Sequence, residues 1–231
     1  GSFLIPKLQH LDYEIKIGDL KDCEVDGIPV TEIDVCDVES ISKLGKVDCI
    51  INLAAVHRDD VKPISKYEEV NVGGASAVCD FAEKMGVSTI VFTSSVAIYG
   101  FAPPNTGEDG NPNYFNEYGR TKFLAEKVYI EWFSKDPSNR SLVIVRPTVV
   151  FGPGNRGNVY NLLNQIASKK FAMFGDGTNI KSMAYVDNVA GFLKHCTNLG
   201  PGKHIFNYID KPDLNMNDLV SVARKTLFNK R

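Results

Sequence analysis

The chain has 231 residues, 43% of them apolar and 23% charged, which is enough apolar material for a sizeable core. Its formal net charge of −2 and the lack of any Lys/Arg-rich run exclude a nucleic-acid partner held by bulk charge. No apolar stretch approaches the ~18 residues of a membrane span, and the five scattered cysteines form no Cys-x-x-Cys pair, so a reducing cytoplasm is the expected compartment.

Residues 3–11 read as a helix, with Pro6 in its first turns. Strands are expected over 13–17 and 30–33, a short helix over 38–44 and a strand over 47–53. Residues 65–85 read as one helix, and a β-branched and aromatic run predicts a strand over 89–92. A long helix over 117–133 and a strand over 142–146 follow. Helix–strand alternation of this kind implies a parallel sheet covered on both faces. Beyond Gly152 the pattern loosens into helices at 158–168, 185–196 and 214–228, with a buried strand at 171–174.

Tyr118 and Lys122 stand four residues apart on the 117–133 helix, so they share one face. A free phenol has a pKa of about 10 and is a poor base at neutral pH. A neighbouring ammonium favours the phenolate and lowers that value. Such a pair can take a proton from a substrate hydroxyl, although many surface helices carry Tyr and Lys at this spacing without chemistry. Thr93, Ser94 and Ser95 follow the 89–92 strand. Open α/β sheets bind ligands in that position, outside the carboxyl ends of their strands. These hydroxyls serve that crevice, or they satisfy backbone groups at a strand end. No metal-ligand spacing involves His10, His57, His195 or His204.

Together these segments resemble the extended short-chain dehydrogenase/reductase family, in its sugar epimerase/dehydratase branch. The resemblance also rests on Asn52-Leu-Ala-Ala55, on Asn71, on the segment from Arg146 to Gly154, on Gly175-Asp-Gly177 and on Met183-Ala-Tyr-Val-Asp187, in that order. It implies a Rossmann-type, doubly wound parallel sheet over 1–151 and a smaller substrate region over 152–231. It implies catalysis by Tyr118, Lys122 and Ser95. NAD is the implied cofactor, held by Leu53, Ala54, Ala55, Asn71, Ser94, Tyr118, Lys122 and Pro147. A homodimer packed through the 65–85 and 117–133 helices is implied as well.

The start of the chain departs from the family pattern. A dinucleotide-binding fold opens with a strand and a glycine fingerprint that brings the backbone to a pyrophosphate. Here Gly1 is either the third glycine of that fingerprint or a residue added ahead of the native chain. In both cases the first strand is missing from the expected sheet. Asp19 stands at the spacing of a ribose-binding acid, which repels a 2′-phosphate and favours NAD over NADP, or it is an ordinary turn aspartate. Asp34 and Val35 resemble the family's adenine-contacting pair.

The family's dehydratases carry an acid pair after the catalytic hydroxyl, whereas this chain has Val96 and Ala97, which transfer no protons. The resemblance therefore implies oxidation and re-reduction at one carbon, the chemistry of a 4-epimerase, and not elimination. The strings 55–61, 154–161, 181–186 and 210–217 resemble a narrower group, bacterial 4-epimerases of N-acetylglucosaminyl-diphospho-undecaprenol. That likeness implies a diphosphate-linked sugar substrate and peripheral contact with the inner face of the cell membrane. His57, Arg58, Ser95, Arg156, Asn158 and Lys181 are the candidate substrate contacts, Arg58, Arg156 and Lys181 because cations grip phosphate oxygens. His57 is otherwise a loop residue at a strand end, and Asp59 and Asp60 read as loop and cap carboxylates. A UDP-sugar 4-epimerase is the alternative within the same class. A non-catalytic dinucleotide-binding scaffold is the alternative from another.

Overall fold

The computed structural model describes every residue except Asp12, Asp22, Asp59 and 229–231. The reading of Asp59 as a loop carboxylate therefore lies outside the described residues. In chain order the elements are α1 (Ile5–Gln9), β1 (Ile17–Asp19), β2 (Glu24–Val25), β3 (Ile28–Glu32), α2 (Val38–Ser42), β4 (Cys49–Asn52), α3 (Ser65–Glu68), α4 (Gly74–Met85), β5 (Thr89–Thr93), α5 (Glu117–Ser134) and β6 (Ser141–Pro147). There follow β7 (Val149–Phe151), α6 (Asn158–Ala167), β8 (Ile180–Lys181), β9 (Met183–Tyr185), α7 (Val186–Cys196), β10 (Gly202–Tyr208), β11 (Leu214–Asn215) and α8 (Met216–Phe228).

The chain forms two units: Gly1–Arg146 with Ala190–Asn207, and Pro147–Val189 with Tyr208–Arg231. Strand β10 returns to join the first unit's sheet beside β6.

In the first unit, β4, β5 and β6 are parallel, with Cys49 opposite Thr89 and Thr89 opposite Ser141. All seven residues of β6 are buried, as expected of a strand covered on both faces. Helices α4 and α5 supply much of that cover, through Val78, Phe81 and Ala82 on one and Ala125, Tyr129 and Trp132 on the other. Strands β1 and β3 are also parallel, but they belong to a separate sheet with the order β1-β3-β2. The architecture is a Rossmann-like α/β fold, and the parallel strands of the first unit fall into two blocks.

Three local differences from the sequence expectation have physical causes. Residues 13–16 are not strand, because β3 offers partners only from Val30, opposite Ile17. Strand β2 was not expected; it pairs antiparallel with β3 across Asp26 and Gly27, whose φ values of 51° and 78° suit a tight hairpin. The 65–85 helix is interrupted by a π turn, Glu69–Gly73, which carries Asn71.

The second unit has its own small core, in which α6 and α8 bury Ile166, Val220 and Ala223. The expected strand at 171–174 is irregular instead. Phe171 and Met173 pack onto that core, but Phe174 is 92% exposed and no neighbouring strand pairs with the segment. Helix α8 starts later than predicted, because Leu214 and Asn215 pair with Lys181 and Ile180 as β11. Likewise Tyr185 closes β9, opposite Phe151, before α7 begins.

Candidate active site

Strand β5 ends at Thr93, and Ser95 follows in an extended conformation. The Ser95 hydroxyl accepts from the Ala97 amide at 3.1 Å and so caps a 3-10 turn, Val96–Tyr99. Helix α5 is capped in the same manner, by Asn116 Oδ1 accepting from Gly119 N at 2.8 Å. Gly119 is needed for what comes next. A Cβ there would stand 2.5 Å from the Ala97 carbonyl oxygen, so only glycine lets α5 press its first turn onto the 3-10 turn. That close approach leaves the Tyr118 phenol within reach of the Ser95 side chain.

Burial raises the Tyr118 pKa above its ordinary value, and the hydrogen bond with Ser95 opposes the rise. The expectation that Lys122 would lower it is corrected here. Lys122 is itself only 3% exposed, and burial pushes its pKa down to about 7 while the Glu126 carboxylate pulls it back up. Its ammonium lies 4.5 Å from the centre of the Phe92 ring. A lysine that has lost so much hydration is a weakened source of positive charge, and the desolvation of the phenol prevails.

Behind these side chains lies a polar framework. Asn71 Oδ1 accepts from Val56 N at 2.8 Å, and its amide nitrogen donates to Val56 O at 3.0 Å and to Thr121 Oγ1 at 2.9 Å. Both amide hydrogens are therefore used, and Asn71 clasps the segment after β4 to α5. Asn52 donates to the buried Tyr129 hydroxyl at 2.7 Å and accepts from Ala54 N at 3.0 Å, which shapes the turn that exposes Leu53 and Ala54.

The remaining residues expected at a cofactor follow the carboxyl ends of their strands. Asp19 ends β1, Asp34 and Val35 follow β3, Leu53 to Ala55 follow β4, Ser94 follows β5 and Pro147 ends β6. Burial lowers the pKa of the Gly1 amino group and Asp19 opposes that shift, so these two lie within electrostatic reach. Asp34 accepts from Cys36 N at 2.9 Å, and Val35 packs against the main core. The Thr93 and Ser94 hydroxyls are buried with no partner among the described residues. Unsatisfied hydroxyls at a strand end, an exposed carboxylate at Asp19 and an open backbone turn at Leu53–Ala54 fit a dinucleotide at this edge.

Of the candidate substrate contacts, Ser95 stands with Tyr118. His57 and Arg58 are exposed, and Arg58 forks onto Asp60 at 3.1 and 2.8 Å. Arg58 thus already has an anionic partner, and Asp60 is a loop carboxylate as expected. Arg156, Asn158 and Lys181 belong to the second unit, the first two exposed at the start of α6 and the third half-buried in β8. Beside Tyr118 opens a cleft of about 350 Å³, lined also by Val61, Ile64, Tyr67, Phe115, Asn116 and Glu117. Sequence reasoning missed its apolar members, since isolated apolar loop residues carry no spacing signal.

A family model described as the NAD dependent epimerase/dehydratase family matches residues 1–208. Over 204 residues the chain is 51% identical to the N-acetyl-alpha-D-glucosaminyl-diphospho-ditrans,octacis-undecaprenol 4-epimerase of Escherichia coli O157:H7, covering 87% of this chain and 62% of that protein. It is 29% identical over 156 residues to the UDP-glucose 4-epimerase of Vibrio cholerae, covering 65% of this chain and 46% of the relative. The chain thus spans 62% and 46% of the lengths of these two curated relatives. The solved UDP-glucose 4-epimerase of Thermotoga maritima has the same fold, with a TM-score of 0.82 at 23% identity over 100% of this chain and 80% of that one.

Proposed function

The chain belongs to the NAD dependent epimerase/dehydratase family, and we propose that it forms the catalytic part of an NAD-dependent sugar 4-epimerase. The proposed substrate is a diphosphate-linked N-acetylhexosamine, N-acetylglucosaminyl-diphospho-undecaprenol in the first place. One observation carries the chemistry: Tyr118, which lines a cleft, has Ser95 within reach of its phenol and Lys122 buried one helical turn behind. The 51% identity to the undecaprenol-linked 4-epimerase favours that substrate over a UDP-sugar.

When bound, NAD would supply the chemistry of hydride acceptance and return at C4, and inversion requires that the 4-keto sugar turn over so that its opposite face is reduced. Tyr118 takes the C4 hydroxyl proton and later gives it back. Ser95 holds the reacting oxygen in line with the phenol. Lys122, when protonated, opposes the burial that raises the Tyr118 pKa. Val96 and Ala97 offer no acid to the neighbouring carbon, so the hydroxyl there is retained. Asp19, Leu53 to Ala55, Ser94, Lys122 and Pro147 would hold the cofactor, with Asn71 fixing the turn beside it. A homodimer built on α3, α4 and α5 belongs to the same proposal. So does peripheral contact with the inner face of the cell membrane, where a lipid-linked substrate would lie; no helix among the described residues is long and apolar enough to cross a membrane.

The test is a paired assay on the complete protein with NAD. One reaction holds membranes containing N-acetylglucosaminyl-diphospho-undecaprenol and the other UDP-N-acetylglucosamine, and the epimeric product is read in each. Conversion of the lipid alone supports the proposal, and conversion of the nucleotide sugar alone moves the substrate to the UDP class. Tyr118→Phe should lower turnover by at least ~100-fold, the contribution of a positioned acid–base group, without loss of fold. Full activity in that variant would remove Tyr118 from the mechanism.

A further inference from the structure

Lys122 does not stand alone in the interior of α5. Glu126, one helical turn further on and 1% exposed, receives Arg146 Nε at 2.9 Å and Nη2 at 2.6 Å. Arg146, 5% exposed near the end of β6, spends Nη1 on the Tyr99 hydroxyl and on the Glu108 carbonyl, the latter at 2.9 Å. Tyr99 in turn donates to Asn207 Oδ1 at 2.9 Å. Three charged side chains are therefore buried in a row, each in a fixed place. A buried ion pair is a weak source of stability, because desolvation of the two charges roughly cancels their attraction and an apolar pair of similar volume does as well. The Glu126–Arg146 pair therefore invites a role beyond holding the fold.

That role is visible in what each charge touches. Arg146 is satisfied on every side by a carboxylate, a phenol and a carbonyl. Lys122 makes no hydrogen bond or ion pair among the described residues; its ammonium sits over the Phe92 ring, one helical turn from the Glu126 carboxylate, whose charge is in its field. The other groups around this interior do not compete for the lysine. Tyr129, further along α5, is held by Asn52; Tyr99 faces Arg146; Tyr118 is engaged with Ser95; the Glu108 carboxylate accepts from Asn207 N at 2.7 Å.

We propose that Glu126 is a positioning residue that keeps Lys122 in its ammonium form, and that Arg146 sets the strength of this effect by sharing the same carboxylate. The charge state of the lysine is then fixed by the chain itself, from the next turn of α5. The catalytic meaning of this arrangement rests on the 4-epimerase reading; the electrostatic arrangement does not.

The experiment is an NMR titration of the protein labelled with ε-13C lysine, with the Lys122 signal assigned by its absence in Lys122→Met. It requires neither cofactor nor sugar. Glu126→Gln should lower the Lys122 midpoint by ~1 pH unit, a tenfold loss of proton affinity. Since that variant strands the Arg146 charge and can fail to fold, the double variant Glu126→Gln/Arg146→Met is made beside it, which removes the pair as a whole. It should also lower the midpoint, whereas Arg146→Met alone should raise it. In the complete enzyme the pH limb of kcat assigned to Lys122 should move with the midpoint, while KM stays put. A Lys122 midpoint that is unchanged in the folded double variant overturns the proposal. Shifted midpoints in a protein with no epimerase activity would leave it standing and sink the functional reading instead.

Discussion

Replacing Lys122 with methionine should make the protein more stable, by an amount that depends on pH. An unfolded lysine titrates near 10.5 and buried Lys122 near 7. Between those two values the unfolded chain binds a proton that the folded chain does not, so wild-type stability rises with pH across this window. The slope is ~1.36 kcal/mol per pH unit for one such proton. The drop from 10.5 to about 7 then corresponds to a ceiling of about 5 kcal/mol. Below the folded pKa the wild type carries the whole penalty of a buried ammonium, and Lys122→Met, which keeps the volume and discards the charge, does not. The variant should therefore be the more stable protein in acid and neutral solution, and its lead should shrink steadily as the pH climbs towards 10.5. Urea unfolding of both proteins, at matched pH values through that window, reads the difference directly. Groups that titrate alike in the two proteins drop out of it. A stability gap that stays constant throughout would mean that Lys122 titrates as an exposed lysine does, and the account of Tyr118 and Glu126 given above would go with it.

Gly119→Ala places a methyl group 2.5 Å from the Ala97 carbonyl oxygen. The variant should lose about 1–3 kcal/mol in urea unfolding, as overpacked sites do, and its kcat should fall with the displaced Tyr118; unchanged stability would show that the two turns separate without cost. Asn71→Leu removes three hydrogen bonds at once and strands Val56 N and Val56 O, while the Thr121 hydroxyl keeps its bond to the Glu117 carbonyl at 2.8 Å. About 1–3 kcal/mol for each group left dry is the expected scale, and a loss well below ~1 kcal/mol in total would mean that water takes the place of the clasp.

Most of the elements were legible because their apolar periods are long and unbroken. Helix α5 and strands β5 and β6 stand where the pattern put them. Tyr118, Lys122 and Ser95 were legible as a group because helical spacing and a strand end fix their directions. What escaped depends on contacts remote in sequence. Nothing near Glu126 announces Arg146, and nothing near Gly119 announces the Ala97 carbonyl. Phe171 to Phe174 has the composition of a strand, but composition does not supply a neighbour to pair with. The Asp26-Gly27 pair has the residues of a hairpin turn, but β2 is only two residues long and leaves no alternating pattern beside it. The direction of the Tyr118 shift was misjudged for another reason: proximity to a lysine was evident, but the burial of both groups was not.

The π turn at Glu69–Gly73 has a consequence for what lengths of chain this protein tolerates. A π turn is an α-helix with one residue to spare. Removing any single residue there would restore an unbroken helix and rotate everything before it by ~100° relative to everything after, since each residue of a helix advances by that angle. Tyr67, which lines the cleft and donates to the Arg58 carbonyl, would swing away from both while Phe81 stayed in the core. In a lineage of such chains the loops are free to grow and shrink, but this stretch of helix should keep its count of residues even where the residues themselves change.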